Sequence, residues 1–547
     1  MRRFLVSSFI FLFVTVFVFS GGQNQSQAKS SAAVDYGKRT SGPNYWMVKY
    51  DQPVTLHVVN YPDGSVNFPS GDDPSKNEWT RIIKRDLNID IVTDWISPTT
   101  EYTTRLNLAI ASGQLPDVFE ANAVQFRQLV DANATADITD YIENNASDTI
   151  KSIFAFSPSI LDTAKRNGRL VGIPQFGYGT IDKPMNIWLR HDWKEAAKIS
   201  VPKTVSELEN IMAVFMKNNP GTYGMPLNKN LDELYYMGPS FGVYPNTWIT
   251  ATDGSIVHGG IQPGMKAILT TFADWYRKGY IKKDFMSMDS DAVRQDLISG
   301  RFGVQILANW WGYANGTDIV NNLGKDAYFE AYELPSVDGK PPVHPLPFDN
   351  GGYNVINKNS KNIDAAVKCT SYILYIARDA ITQKIITFKE ADDILVKAGL
   401  HTLRMFRLNN PIDEISNYEE IQKAVKTGDT SVFTNTMSYT KYMSAHEWVT
   451  KGDATGVGNW LQGYADFCAY NSNIKVVNDN RFILNRLMGP VPEDVAVYGT
   501  TLDDMLKEGF IKIITGERPV SYFDELVNQW KNSGGDAQTR AMNREYN

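Results

Sequence analysis

The stretch Ala308–Gly316, ANWWGYANG, places two adjacent tryptophans directly after an apolar run, RFGVQILA. Indole rings offer large rigid contact area. They stack on the flat C–H faces of sugar rings, while Asn309 beside them serves hydroxyls. The competing reading packs one ring in the core and covers it with the other. Ligands in open α/β sheets bind just outside the carboxyl ends of strands. That rule selects Tyr61 and Asp63 after the predicted strand 54–61, Glu120 and Asn122 at the end of 116–122, and Asn309, Trp310 and Trp311 after 301–308.

Other chemistries are absent from the sequence. Gly259 and Gly264 have Walker A spacing, but Met265 stands where lysine is required, and no GxGxxG or GxSxG follows a strand. The alternating acids of a Ca²⁺ loop are missing. Asp72-Asp73 and Asp503-Asp504 read as solvated turn or helix-start pairs. Six histidines without an HExxH, and two cysteines without metal or redox spacing, predict no metal and no cofactor. Cys369 and Cys468 read as two buried thiols, with one disulfide left open. A net charge of -7 and no basic run exclude nucleic acid as a natural partner.

These residues must be held by a large body. At 547 residues the chain exceeds one core, so two lobes are expected. The strand signals VTLHVVNY (54–61), NIDIVTDW (88–95) and PDVFEAN (116–122) alternate with helix signals at 77–87 and 101–113. This order predicts an α/β fold with parallel strands. The grammar resumes with helices SELENIMAVFMKNN and GMKAILTTFADWYRKG, strands 301–308 and 351–357, a helix from about 363 to 377, and a helical end. Thr204 and Glu207 form a predicted capping box. At the N-terminus, Arg2-Arg3 and the apolar run Phe4–Phe19 predict an export signal over 1–20, followed by a polar tether over 21–50.

Several stretches in order carry a resemblance. ASGQLPDVFEAN (111–122), NGRLVGIPQFGYG (167–179), IWLRHDW (187–193) with VPKTVSELENIMAVF, WYRKGYIKKDF, LISGRFGVQI and the tail FDELVNQWKNSGG are together similar to the extracellular solute-binding proteins, family 1, of ABC importers. The closest likeness is to the lipoprotein-type, oligosaccharide-binding branch. The resemblance implies a periplasmic-binding-protein-like fold: two α/β lobes joined by crossing segments, with a ligand cleft between them. Lobe 1 would comprise 51–175 plus about 341–440, and lobe 2 176–340 plus about 441–547. It implies a stacking role for Trp310 or Trp311, cleft positions for Tyr61, Asp63, Glu120 and Asn122, a place for Tyr178 on the crossing segment, and a late-loop contact from Trp460.

The implied function is non-enzymatic capture of an oligosaccharide, delivered by hinge closure to permease subunits of an ABC importer, with the binder acting as a monomer. A secreted glycoside hydrolase and a surface carbohydrate sensor remain alternatives on the residues alone. The implied location is the outer face of the bacterial membrane or the cell surface. One departure bears on anchoring: Phe19-Ser20-Gly21-Gly22 lacks the lipobox cysteine of the branch, so lipid anchor, signal anchor and release all stay open. A second is that MKNNPGTYGMPL (216–227) lacks the acids with which relatives hold Ca²⁺.

Overall fold

The computed structural model describes residues 45–61, 68, 70–177, 179–348, 350–376, 380–382, 387, 389–391, 406–489 and 491–547. The export signal and nearly all of the tether, with Asp63 and Tyr178, lie outside the described residues. No helix among those described is long and apolar enough to cross a membrane.

The first lobe follows the strand–helix grammar closely. Strand β1 (Val54–Asn60) is β-branched and leads to helix α1 (Glu78–Leu87), which Asn77 caps by accepting from the Trp79 and Thr80 amides. Strand β2 (Ile89–Ile96) and helix α2 (Thr99–Ser112) follow. Gly113 ends α2 in the left-handed conformation, which glycine adopts without a Cβ clash. Strand β3 (Val118–Ala121) leads into helix α3 (Ala123–Asp131), and β4 (Ile173–Pro174) is a two-residue edge. β1 runs parallel to both β2 and β3.

The chain then crosses. Strand β5 (Met185–Arg190) opens the second lobe, followed by helices α4 (Val205–Asn218) and α5 (Met265–Lys278). Thr204 and Glu207 make the expected reciprocal capping box on α4. Strand β6 (Val304–Ala308), helix α6 (Trp310–Leu323) and strand β7 (Phe329–Glu333) complete a three-stranded sheet of order β6-β5-β7. Strand β8 (His344–Leu346) lies in the return segment, and β9 (Tyr353–Ile356) re-enters the first sheet, whose order is β2-β1-β3-β9-β4.

The parallel expectation holds for β1, β2 and β3 but not for β5 and β9. β5 is antiparallel to β6 and β7, and β9 is antiparallel to β3 and β4. The cause is the crossing itself. Each of these strands enters its sheet from the other lobe, so it starts at the edge where its neighbours finish: Met185 pairs with Ala308, and Tyr353 pairs with Ala121. The segments 176–184 and 334–352 therefore join the same two sheet edges.

Helix α7 (Ile363–Leu374) backs the first sheet, with Lys368 buried between the rings of Tyr45 and Tyr50 at 4.0 and 3.9 Å. Helices α8 (Asp413–Thr427) and α9 (Thr436–Lys451) pack as a hairpin, so the lobe change expected near 440 falls inside a continuous helix. Helix α10 (Ala469–Asn478) packs on β7, and strand β10 (Phe482–Leu484) pairs in parallel with β8. The closing helices α11 (Glu493–Ile514) and α12 (Tyr522–Trp530) bring Phe510, Phe523 and Trp530 into the second-lobe core with Phe272 and Trp275. Cys369 and Cys468 are free and buried, as the sequence predicts. Burial pushes the Cys468 thiol up to about 12, so it is inert.

Candidate functional site

The carboxyl edge of the first sheet carries buried polar atoms that find no partner. Register puts Asn60, Glu120 and Asn354 on one face of the adjacent strands β1, β3 and β9, since Val58 pairs with Val118 and Glu120 with Asn354. Gln175 follows β4 on the same face, two residues after Ile173, which pairs with Asn354. Asn60 Oδ1, Glu120 Oε2, Asn354 Oδ1 and both amide atoms of Gln175 are buried without a hydrogen bond, as is Ser97 Oγ just past β2. An unmet buried polar atom costs about 1–3 kcal/mol, so such a row needs an explanation.

Gln175 is the extreme case, with 0% exposure. Its backbone is fully used: its N–H donates to the Gly352 carbonyl at 2.9 Å, and its carbonyl accepts from the Asn409 amide at 2.9 Å. Gly352 has φ +147, and a Cβ there would lie 3.2 Å from Gln175 Oε1 and 3.0 Å from the Ala121 carbonyl. The bare glycine just before β9 is what leaves room for the Gln175 amide beside the end of β3.

Tyr61 is buried and stacks on Tyr102 at 3.8 Å. The Tyr102 hydroxyl donates to the Glu120 carbonyl at 2.7 Å and accepts from the Glu120 amide at 3.2 Å. Tyr61 thus steadies the strand end that holds Glu120. Asn122 is exposed, but its Oδ1 accepts from the Gln125 amide at 2.9 Å and caps α3. Beside this edge, a cavity of about 450 Å³ lies between α3 and the C-terminal residues Glu545 and Tyr546, with Arg127, Arg166 and Tyr353 among its walls.

The second-lobe edge is built differently. The helix α6 starts at Trp310, and the turn of about 100° per residue sends the two indoles apart. Trp310 is 51% exposed, whereas Trp311 is 4% exposed and packs on Trp188 and Phe329 at 5.0 and 5.1 Å. Trp311 is therefore a core residue, and the pair supplies one exposed ring rather than two. Tyr313, one turn on and 56% exposed, joins Trp310 on the open face. The sequence reading missed it, although its i,i+3 spacing from Trp310 was visible.

Most polar groups at this edge are engaged, although Asn186 Oδ1, beside the ends of β6 and β7, is buried without a hydrogen bond. Asn309 donates to Asp182 Oδ1 at 2.9 Å and accepts from Gln462 Nε2 at 2.9 Å, which ties the end of β6 to the crossing segment. Glu414 accepts from Tyr470 at 2.6 Å and from Lys441 at 2.7 Å. Burial, then the Glu414 charge, pushes the Asp182 carboxyl up to about 6. Burial works against ionisation of Glu414 too, but Lys441 outweighs it and holds that carboxyl below its ordinary range. Trp460 is half-buried against Tyr328 at 4.9 Å and Phe467 at 5.2 Å, inside an aromatic cluster. Among the described residues no group of three or more His, Cys, Asp or Glu is placed to hold a metal.

Residues 73–374 match the model of the family described as bacterial extracellular solute-binding protein. Lipoprotein LipO of Bacillus subtilis is 22% identical over 507 residues, covering 88% of this chain and 90% of LipO. The polygalacturonan/rhamnogalacturonan-binding protein YtcQ of the same organism is 22% identical, covering 84% of this chain and 86% of YtcQ. Among solved structures, the alginate-binding protein AlgQ2 superposes with a TM-score of 0.61 at 16% identity, over 91% of this chain and 98% of that one.

Proposed function

The chain belongs to the bacterial extracellular solute-binding proteins, and we propose that it captures an oligosaccharide outside the cell and hands it, unaltered, to an ABC importer. The ligand lies between the two sheet edges, and the lobes close on it by bending at the crossing segments, with the closed form favoured by contacts that only it makes. The observation that supports this most is the complementarity of the edges. One offers unmet buried acceptors at Asn60, Glu120, Asn354 and Gln175. The other offers the exposed rings of Trp310 and Tyr313. Sugars present both hydroxyls and apolar ring faces, so one ligand class answers both edges.

YtcQ is named for binding polygalacturonan and rhamnogalacturonan and AlgQ2 for binding alginate, which supports carbohydrate as the class. The partners proposed are the permease subunits of the importer, met by the closed form. Residues 1–20 serve as the export signal and 21–50 as a polar tether ahead of the folded body, with anchoring and release both open.

Thermal unfolding against a panel of plant and bacterial oligosaccharides, with product analysis of the same wells, tests this reading. A ligand at a hundred times its Kd adds about 2.7 kcal/mol of stability. A raised melting temperature with the sugar intact is expected. Cleaved sugar would make the protein a hydrolase.

A further inference from the structure

From the row of unpartnered atoms on the first sheet we infer that Gln175, with Glu120 and Asn354, is a specificity-determining floor that takes adjacent hydroxyls of an uncharged sugar ring. The inference rests on the carbohydrate reading of the cleft and goes further by naming which residues read the ring and what that ring presents.

The argument starts from what the atoms can accept. Among these three residues, Glu120 Oε2, Asn354 Oδ1 and Gln175 Oε1 are unmet acceptors and Gln175 Nε2 is the one unmet donor. A partner rich in O–H donors satisfies this set, because each hydroxyl donates once and still accepts. A carboxylate on the ring brings acceptors to a place already short of donors, and it brings negative charge toward Glu120.

The neighbours of Gln175 are otherwise engaged. Its own backbone is bonded to Gly352 and Asn409. The Asn354 amide nitrogen donates to the Arg407 carbonyl at 2.6 Å, so Asn354 has its oxygen left over. The Tyr102 hydroxyl is used on both sides by the Glu120 backbone, so it does not reach the Glu120 carboxylate as a donor. Gly351 and Gly352 place bare backbone next to the Gln175 amide: a Cβ at Gly351 would lie 3.5 Å from Oε1, and one at Gly352 3.2 Å. The two glycines just before β9 therefore put no side chain against this amide. The sequence reading took residues that follow β1, β3 and β6 but did not treat Ile173–Pro174 as a strand, and so passed over Gln175.

The test is calorimetric titration of the whole exported chain with matched neutral and uronate trisaccharides: galactotriose with trigalacturonate, and mannotriose with trimannuronate. The variants are Gln175→Met, which keeps length and removes both polar atoms, and Gln175→Glu, which keeps shape and removes the donor. The expected result is tighter binding of a neutral sugar than of its uronate partner, weakened tenfold or more in both variants while the circular dichroism spectrum is unchanged. Undiminished affinity in Gln175→Met would overturn the inference and leave the amide as an internal-water site. A preference for the uronates would overturn the uncharged ring. Should Gln175→Met fail to fold, Gln175→Glu decides in the same way. If no sugar binds the unmodified chain, the carbohydrate reading itself falls, and this inference with it, whereas binding that ignores Gln175 removes the inference alone.

Discussion

The two sheet edges are weighted differently, although Asn186 Oδ1 on the second is also unmet. On the first lobe, polar side chains are buried and left unmet, while the nearest rings, Tyr61 and Tyr102, stack on each other. On the second lobe, Asn309, Asp182 and Gln462 satisfy one another, while Trp310 and Tyr313 face outward. An unmet polar atom gains most from a hydroxyl, and an exposed ring gains most from an apolar face. The comparison leads us to propose that recognition is divided, with one lobe reading hydroxyl positions and the other gripping ring faces. In the proposed function, closure brings these two half-sites together.

The adjacent tryptophans sharpen this contrast most strongly. Trp311→Ala removes a packed ring from against Trp188 and Phe329 and is expected to cost about 3–5 kcal/mol of stability. Trp310→Ala should leave chemical denaturation within about 0.5 kcal/mol of the parent. Equal losses in the two variants would break the assignment of one ring to the core and one to the ligand.

Asp182 probes the satisfied network. Its folded carboxyl titrates at about 6, above the ordinary 3.8, so the folded state holds the proton more tightly. Its contribution favours folding fully below pH 4 and is lost as pH rises to about 6, a change on the order of 3 kcal/mol. Asp182→Asn keeps an acceptor for Asn309 and removes the titration. Urea melts at pH 4 and pH 7 should show the variant gaining on the parent at the higher pH. A constant difference would contradict the buried, proton-holding Asp182.

Trp310→Ala also has a binding readout, a loss of tenfold or more in sugar affinity, about 1.4 kcal/mol. Undiminished affinity would move the stacking role to Tyr313 or off this edge. The smallest expected effect is at Asn122. Asn122→Ala removes the α3 cap and should cost about 1 kcal/mol of stability with affinity unchanged. A large affinity loss without destabilisation would return Asn122 to the ligand.

Much of the scaffold was legible because its signals are local. Gly113, and Thr204 with Glu207, mark helix ends where the structure has them. The strands after which ligand residues were sought are real. The division between Trp310 and Trp311 was not legible, because it depends on α6 starting at Trp310 and on Trp188 and Phe329 waiting below. Gln175 was hidden for a similar reason. Its strand is two residues long, and its surroundings come from Gly352 and Asn409, far along the chain. Asn309 was expected to meet ligand, yet Asp182 and Gln462 engage it, a pairing that only tertiary structure reveals.

The most direct test of a ligand shared by two half-sites is the distance between labels on the two lobes. Leu108 on α2 and Val497 on α11 are 67% and 63% exposed, and the native cysteines are buried, so labels at Leu108→Cys and Val497→Cys are selective. The account predicts that a saturating, bound oligosaccharide shortens the separation, and that Trp310→Ala needs more sugar to do so. Bound sugar with an unchanged separation would contradict it.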